Sequence, residues 1–268
     1  MILVTGASGQ LGSAIVESLE AANVPVIRGT RSPAAGSNDR SVDFDDPDTL
    51  DFTGIDTLVM VSAGYAEDDV VITRHERVLA AAERDGVQHL IYTSLAGDGD
   101  HLGFALAHRW TERRIQNSGM RWTILRNGIY AELLGALMAP NDGVITAPLG
   151  TGGVAVVTRA DLADAASVVA SNPEAHAGQI YDLVGSRAVT AAEVARHAGL
   201  AYLPESLQTR RETLNASGLL PFQPSMLLSL YSSTANGFLE RTSNDLEVLL
   251  ARPLTDPVPA AGAMLHQH

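Results

Sequence analysis

The sequence predicts an α/β fold with a doubly wound parallel sheet, followed by a small, mostly helical C-terminal lobe. Three observations lead to this prediction. Short β-rich apolar runs alternate with segments of helical length in the first half of the chain, as in βαβ units. A glycine-bearing stretch, VTGASGQLG, joins the first strand to the first helix. Beyond Tyr130 the alternation loosens, and irregular helical segments follow.

The apolar runs of the first half predict the successive strands. They are ILVTG, VPVIRG, DTLVMVSAG, QHLIYTS and RWTILRNG. Between the first two runs, Leu11, Ile15 and Leu19 recur every four residues, which predicts a helix with one apolar stripe against the sheet. The segment VVITRHERVLAAAERDG predicts a further helix that ends before Gly86.

The second half of the chain has weaker signals. Turns with Gly and Pro, APNDG and PLGTGG, precede a helical segment that begins near Ala160. The stretch TAAEV predicts a helix start at which Thr190 caps a backbone amide while Glu193 reaches back toward the cap. Residues 204–237 are helical in pattern but irregular, and we assign them to the smaller lobe.

Composition narrows the class of protein. The chain has 18 Arg and no Lys against 31 acidic residues, and the net charge of −13 disfavours a nucleic-acid partner. It has no Cys, which excludes disulfides, thiolate metal sites and Cys nucleophiles. The first strand pattern starts at Ile2, leaving no room for a signal peptide, and no apolar run approaches the ~18 residues that span a bilayer. We therefore expect a cytoplasmic protein without a bound metal.

Three glycines follow the first strand at the start of the amphipathic helix, the context that predicts a Rossmann-type dinucleotide site. Gly6 permits a tight turn, Gly9 lets the backbone approach a pyrophosphate, and Gly12 lets helix and strand pack closely. Amides at the helix N-terminus attract negative charge. The predicted contact set is Gly6, Ala7, Ser8, Gly9, Gln10, Leu11 and Gly12. The alternative is a turn with ordinary loop glycines.

The end of the second strand distinguishes the two nicotinamide cofactors. An acidic residue there binds the ribose 2′-OH, whereas Arg accommodates a 2′-phosphate. The stretch IRGTRSP has Arg28 and Arg31 and no acidic residue. Arg31 is predicted to hold the 2′-phosphate because a guanidinium binds phosphate oxygens bidentately. NADP is therefore preferred over NAD, with a solvated loop arginine as the alternative.

Further strand ends predict the rest of the cofactor crevice, because ligands of open α/β sheets lie outside the carboxyl ends of the strands. Asp43 and Phe44, in the stretch VDFDD where the third strand would end, are expected near the adenine. The small residues after the next strand leave space for the nicotinamide ribose. These residues, with the end of the fifth strand, are Val61, Ser62, Ala63, Thr93 and Ser94. Residues 1–130 are thus the predicted NADP-binding Rossmann core, and residues 131–268 complete that core and form the smaller substrate lobe.

The sequence offers two candidates, Tyr92 and His108, for the proton donor of the predicted site. Short-chain dehydrogenases commonly use a Tyr-x-x-x-Lys dyad, and a chain without Lys excludes it. Tyr92 lies at the end of the fifth strand. His108 shares a helix face with Phe104, Thr111 and Ile115 and is expected to point inward, where it positions a substrate oxygen or donates a proton. The alternative is a core histidine bound to a backbone carbonyl. Neighbouring Glu112 is expected to fix the helix by a local ion pair.

The absence of this dyad favours some classes of substrate over others. An unactivated ketone develops alkoxide charge on reduction and benefits from a strong positioned acid, whereas a quinone yields a stabilised phenolate that water protonates. The sequence therefore favours NADPH-dependent reduction of quinones or similar conjugated carbonyls over alcohol dehydrogenation.

A family resemblance rests on motifs that occur in order from Ile2 to about Leu250. They are VTGASGQLG, YTS, HRWTE, LRNGIY, VTRADLADAA and YDLVGS. Together they resemble the NmrA-like branch of atypical short-chain dehydrogenases, and in particular type 2 NAD(P)H:quinone oxidoreductases. The resemblance implies NADPH bound without flavin, direct hydride transfer to quinones, and a cofactor contact at Asn127. It also implies a substrate cleft between the lobes near Tyr130 and the stretch GTGGVAVV, which includes Val154.

Alternative functions stay open at this stage. An NmrA-like redox sensor would bind NADP with little or no turnover and report the cofactor state to a protein partner. A reductase or epimerase of a specialised metabolite is a third possibility, because one fold hosts many reactions. A homodimer also stays open.

Overall fold

The structure is a computed structural model that describes residues 1–63, 65–97 and 101–266. Within these residues it has eleven strands and ten α-helices. The strands are β1 (Ile2–Val4), β2 (Val26–Thr30), β3 (Arg40–Ser41), β4 (Thr57–Met60), β5 (His89–Leu95), β6 (Arg121–Asn127), β7 (Val144–Ala147), β8 (Gly153–Val154), β9 (Gln179–Leu183), β10 (Val189–Thr190) and β11 (Ala201–Pro204). The helices are α1 (Gln10–Ala21), α2 (Asp68–Arg84), α3 (Ala105–Gln116), α4 (Ala131–Leu137), α5 (Arg159–Ser171), α6 (Ala191–His197), α7 (Leu207–Ala216), α8 (Gln223–Ala235), α9 (Asp245–Leu250) and α10 (Pro257–Met264).

A seven-stranded sheet with the order β3-β2-β1-β4-β5-β6-β9 organises the Rossmann-type fold. The pairs from β3 to β6 are all parallel. Every residue of β4 and β5 is buried, as is typical of central strands covered on both faces. Strands β2 and β3 lie on one side of β1, and β4, β5 and β6 lie on the other side. The strand order thus reverses between β1 and β4, and ligands of such sheets bind at this point of reversal. The predicted fold class is confirmed.

Helix positions follow from the apolar spacing of the sequence. Leu11, Ile15 and Leu19 are buried on α1, as their four-residue repeat predicts. Helix α1 packs against α5, and Ser18 Oγ donates a hydrogen bond of 2.9 Å to Asp164. A separate core cluster joins residues of β1, β4 and β5 to residues of α2 and α3.

The chain divides by internal contacts into two compact units. Unit 1 comprises residues 1–95, 106–127 and 159–181, and unit 2 comprises residues 96–105, 128–158 and 182–268. The chain thus passes between the units more than once, because the segment with α5 returns to unit 1. The division into functional domains at residue 130 stays a prediction.

Unit 2 contains the helical C-terminal part. Strand β8 pairs antiparallel with β10, and β7 pairs parallel with β11. Gly135 of α4 packs so closely against α10 that a Cβ there would lie 2.1 Å from the carbonyl oxygen of Ala261. Among the described helices, none has the length and apolarity that crossing a membrane requires.

Candidate cofactor and active site

The turn between β1 and α1 has a backbone that its glycines make possible. Gly6 has a φ of +62°, a conformation that side chains with a Cβ rarely adopt. Its carbonyl oxygen accepts a hydrogen bond of 2.8 Å from the Gly9 amide. A Cβ on Gly12 would lie 2.2 Å from that same carbonyl oxygen. These contacts agree with the predicted structural roles of Gly6 as the tight turn and Gly12 as the close-packing position.

The first turn of α1 presents backbone donors. Gly9 is the N-cap and supplies no side-chain cap, and the first turn has no acidic residue. Ser13 is the first residue whose amide bonds back to the turn, at 2.9 Å to the Gly9 oxygen. The amides of Gln10, Leu11 and Gly12 therefore lack partners within the helix, and they lie at its positive end. This donor set fits the pyrophosphate of a dinucleotide.

The two arginines near the end of β2 differ in their contacts. Arg28 is bound to Glu20 through two hydrogen bonds of 2.9 and 3.0 Å on the surface. Arg31 is exposed, and no hydrogen bond or ion pair to another described residue holds it. The structure thus leaves Arg31, rather than Arg28, available for an added phosphate.

The segment after β3 is ordered by its own side chains. The Asp43 carboxylate accepts a hydrogen bond of 3.0 Å from the Asp45 amide. The half-buried ring of Phe44 lies edge-on to the His75 ring, with centroids 6.5 Å apart. Arg74 donates two hydrogen bonds to Asp45 and lowers the pKa of that carboxyl. The adenine contacts predicted for Asp43 and Phe44 stay predictions.

The segment after β4 is held by side chains of its neighbours. The Val61 amide donates to Thr5 Oγ1 at 2.9 Å, and the Ser62 amide donates to Thr93 Oγ1 at 3.0 Å. Thr93 is almost fully buried, and its hydroxyl oxygen accepts the hydrogen bond that fixes Ser62. A direct cofactor contact of Thr93 stays a prediction.

The next amide along this segment, that of Ala63, donates to Nε2 of His75 on α2 at 3.1 Å. His75 is fully buried, and sequence reasoning missed it. The available signal was its position on the apolar stripe of α2, between Val71 and Val78, where a polar side chain needs a partner.

The two predicted catalytic residues contact each other. Tyr92 is 0% exposed, and its hydroxyl lies 2.8 Å from Nδ1 of the half-buried His108. Burial raises the pKa of Tyr92 far above its usual range. Burial, together with the charge of Arg109, lowers the pKa of His108 to about 4. At neutral pH both side chains are therefore uncharged. Because Tyr92 is fully buried, it would influence a bound ligand only through the residues that it contacts.

Glu112 lies at the centre of a buried polar cluster behind the end of β5. Its carboxylate accepts hydrogen bonds from Ser94 Oγ at 2.6 Å and from two nitrogens of Arg126 at 2.9 and 2.7 Å. Arg109 adds the expected local ion pair at 3.2 Å. Burial raises the pKa of Glu112, but the hydrogen bonds from Arg126 and Ser94 outweigh it and hold the pKa below its usual range. The Ser94 hydroxyl therefore donates its hydrogen to Glu112. The cofactor contact predicted for Ser94 stays a prediction.

Glu112→Gln should lower the free energy of unfolding by about 3 kcal/mol, because it leaves partly buried arginines without their counter-charge. Urea unfolding followed by circular dichroism measures this change. The matched control is Glu76→Gln, whose more accessible, part-buried pair with Arg114 should contribute less than about 1 kcal/mol, because Arg114 keeps its second partner Glu83. Equal losses in the two variants would contradict a special role for the Glu112 cluster.

Asn127 ends β6 with a buried acceptor that lacks a partner. The residue is 5% exposed, and its Oδ1 has no hydrogen-bond partner among the described residues. A buried unsatisfied acceptor costs about 1–3 kcal/mol. A ligand that donates a hydrogen bond there would remove this cost, so the residue fits the cofactor contact implied for it.

The predicted substrate residues lie in unit 2. Tyr130 is half-buried and precedes α4 as its N-cap residue, and Val154 is 1% exposed within β8. The side chain of Val154 thus faces the interior, and both substrate assignments stay predictions. No group of three His, Cys, Asp or Glu side chains suited to a metal ion occurs in the described ranges.

Comparison with known proteins finds a family match and several relatives. A family model described as NAD(P)H-binding matches residues 6–173. The chain is 34% identical over 276 aligned residues to quinone oxidoreductase 2 of Escherichia coli, with 95% of each chain covered. It is 27% identical to the NmrA-like family domain-containing oxidoreductase flvB of Aspergillus flavus, with 98% of this chain and 93% of that protein covered.

Solved structures show the same similarity. The crystal structure of the NADPH-dependent quinone oxidoreductase QOR2 from Escherichia coli complexed with NADPH matches with a TM-score of 0.87 at 31% identity. The match covers 99% of this chain and 100% of the other. The resemblance indicated by the sequence motifs is confirmed by these findings.

Proposed function

Because the chain belongs to the NAD(P)H-binding family and is an NAD(P)H-dependent oxidoreductase, we propose that it reduces quinones or similar conjugated carbonyls with NADPH. When bound, NADPH would supply hydride directly to the substrate, without flavin. The observation that carries the proposal is the uncapped first turn of α1, which Gly12 holds against the Gly6 carbonyl. The relatedness to quinone oxidoreductase 2 of Escherichia coli supports the substrate class.

The proposed cofactor contacts come from backbone and side-chain groups of unit 1. The amides of Gln10, Leu11 and Gly12 bind the pyrophosphate, and Arg31 binds the 2′-phosphate, which selects NADPH over NADH. The backbone of residues 61–63 and the unpaired Oδ1 of Asn127 receive the nicotinamide half.

The protein contributes mainly positioning to this reaction. When bound, NADPH supplies the hydride. Segment 61–63 is fixed by hydrogen bonds to Thr5, Thr93 and His75, so the surface that receives the nicotinamide is rigid before binding. A quinone needs no strong acid, which suits a site where Tyr92 is buried and His108 is uncharged.

The second candidate function is a redox sensor that binds NADP with little turnover. The same uncharged state of Tyr92 and His108 favours it, because no side chain of this pair is a strong acid at neutral pH. A small-molecule substrate, a homodimer and a cytoplasmic location stay predictions of the reductase account.

Turnover assays separate the two functions. Purified full-length protein, desalted and given no flavin, is mixed with NADPH and a panel of quinones, enones and unactivated ketones while nicotinamide absorbance is followed. We expect turnover with quinones that is unchanged by added flavin and higher than with ketones. Tight NADPH binding without turnover on any acceptor would support the sensor, and absence of NADPH binding would overturn both functions.

A further inference from the structure

The three backbone amides that follow β4 each donate a hydrogen bond to a buried side chain of a different element. The acceptors are Thr5 directly after β1, Thr93 of β5 and His75 of α2. We propose that His75 is a positioning residue for the cofactor, whose ring holds the main chain at Ala63 in the conformation that receives the nicotinamide. This inference rests on the proposed function, which assigns residues 61–63 to the nicotinamide half.

The hydrogen bonds of His75 fix which of its ring nitrogens carries hydrogen. The Ala63 amide can only donate, so Nε2 of the ring, 3.1 Å away, is a bare acceptor. An imidazole with a bare Nε2 keeps its hydrogen on Nδ1, which lies 2.8 Å from Thr111 Oγ1. Thr111 donates its own hydroxyl hydrogen to the Ala107 carbonyl oxygen at 2.7 Å, so its oxygen accepts from His75.

Burial and two aromatic neighbours hold the His75 ring in this orientation. The ring is 0% exposed. The rings of Tyr92 and Phe44 lie edge-on to it, with centroids 5.6 and 6.5 Å away. Burial lowers the pKa of His75 to about 3, so the ring is uncharged at neutral pH. A charged ring would carry hydrogen on both nitrogens and could not accept from Ala63.

These contacts join the segment after β4 to two helices of unit 1. His75 lies on α2, whereas Thr111 and Ala107 lie on α3. A series of three hydrogen bonds thus runs from the Ala63 amide through the imidazole to α3. Groups that touch a ligand must be held within about 0.5 Å of the productive geometry, which is the task of residues packed behind them. Because His75 is fully buried, it acts on the nicotinamide through Ala63.

Two substitutions separate the two hydrogen bonds of His75. In His75→Asn, the side-chain amide nitrogen lies near the position of Nδ1 and keeps the donor to Thr111, but no acceptor reaches Ala63. In His75→Gln, the longer side chain brings its oxygen to the position of Nε2 and keeps the acceptor for Ala63. The matched control is His89→Asn. His89 is also buried and binds Thr123 through its ring, but it lies at the start of β5, away from the carboxyl ends of the strands.

Single-turnover and steady-state kinetics with a quinone measure the effect on hydride transfer. His75→Asn should lower the rate of hydride transfer and kcat by roughly tenfold to a hundredfold, because a displacement of about 1 Å can cost about 10²-fold. His75→Gln should regain most of this loss, because it restores the acceptor for Ala63. His89→Asn should match the wild type.

A cofactor fragment distinguishes positioning from a general loss of structure. Adenosine 2′,5′-bisphosphate has the phosphates that the glycine turn and Arg31 are proposed to bind, but it has no nicotinamide. We expect His75→Asn to bind this fragment like the wild type and to bind NADPH more weakly. Equal weakening of both ligands, an equal loss of kcat in His89→Asn, or no rescue by His75→Gln would overturn the positioning role.

Nitrogen NMR of the full-length ¹⁵N-labelled protein without cofactor tests the contact itself. Long-range ¹H–¹⁵N spectra at neutral pH should show hydrogen on Nδ1 of His75 alone, with the signal assigned by its loss in His75→Asn. The Ala63 amide should exchange with solvent faster in His75→Asn than in the wild type. A hydrogen on Nε2, or an unchanged exchange rate, would contradict the proposal. If the wild type binds NADPH but reduces no acceptor, the proposed function fails, whereas these spectra and the two affinities still decide the role of His75.

Discussion

Gly12→Ala is expected to reduce NADPH affinity by on the order of a hundredfold or more, because it displaces several backbone donors to phosphate that each contribute about 1.5–3 kcal/mol. Its Cβ would lie 2.2 Å from the Gly6 carbonyl oxygen, and neither the Cβ nor a backbone oxygen can be moved away by a change of side-chain rotamer. The first turn of α1 must therefore move relative to β1. Titration of the full-length variant with NADPH, followed by nicotinamide fluorescence, measures the loss.

Two further glycine variants keep this result interpretable. Gly119→Ala has no atom within 4 Å of the added Cβ and should bind NADPH like the wild type. Gly9→Ala adds a Cβ 3.2 Å from the Gly6 carbonyl oxygen, a milder contact, on the exposed side where the pyrophosphate is expected. It should fold and still bind NADPH more weakly. Wild-type affinity in both Gly9→Ala and Gly12→Ala would contradict the assignment of this turn.

Arg31→Ala should lower NADPH affinity by about tenfold to a hundredfold while leaving NADH affinity nearly unchanged. A charged hydrogen bond contributes about 1.5–3 kcal/mol, and every 1.4 kcal/mol is a factor of ten in the dissociation constant. Only NADPH has the 2′-phosphate that Arg31 is proposed to bind. Parallel titrations with the two reduced cofactors measure the difference.

Arg28→Ala is the matched control for this prediction. Arg28 lies on β2, three residues before Arg31, but its guanidinium is already bound to Glu20. Its loss should leave both affinities close to those of the wild type. Equal losses of NADPH and NADH affinity in Arg31→Ala would remove the argument for NADPH preference.

Local patterns in the sequence predicted much of the fold. The repeat of Leu11, Ile15 and Leu19 predicted the buried face of α1, because helical periodicity is set by adjacent residues. Gly86 has a φ of +77° and follows Asp85, the C-cap of α2, as a glycine stop requires. Thr190 caps α6 by accepting a hydrogen bond of 3.3 Å from the Glu193 amide.

The partners of charged side chains were outside the reach of such patterns. The Glu193 side chain pairs with Arg187 at 2.7 Å, so the second half of the predicted capping box is replaced by an ion pair. Sequence reasoning expected Glu112 to bind its own helix, but the structure adds Arg126 from β6 and Ser94 from β5. Such partners depend on strand order, which periodicity does not encode.

In the candidate site, too, some features were predicted by local sequence patterns and others depend on the tertiary structure. The glycine turn and Arg31 lie within one βαβ unit, so their spacing alone predicted a nucleotide site. The pairing of Tyr92 with His108 and the link from Ala63 to His75 depend on how α2 and α3 pack against β5. Both histidines were visible in the sequence, but their partners follow only from the three-dimensional structure.

A crystal structure of the full-length protein with NADPH tests the central claim most directly. The account predicts pyrophosphate oxygens within hydrogen-bond distance of the amide nitrogens of Gln10, Leu11 and Gly12, where the first turn of α1 has no cap of its own. A cofactor bound elsewhere, with these amides facing solvent or a protein side chain, would contradict it.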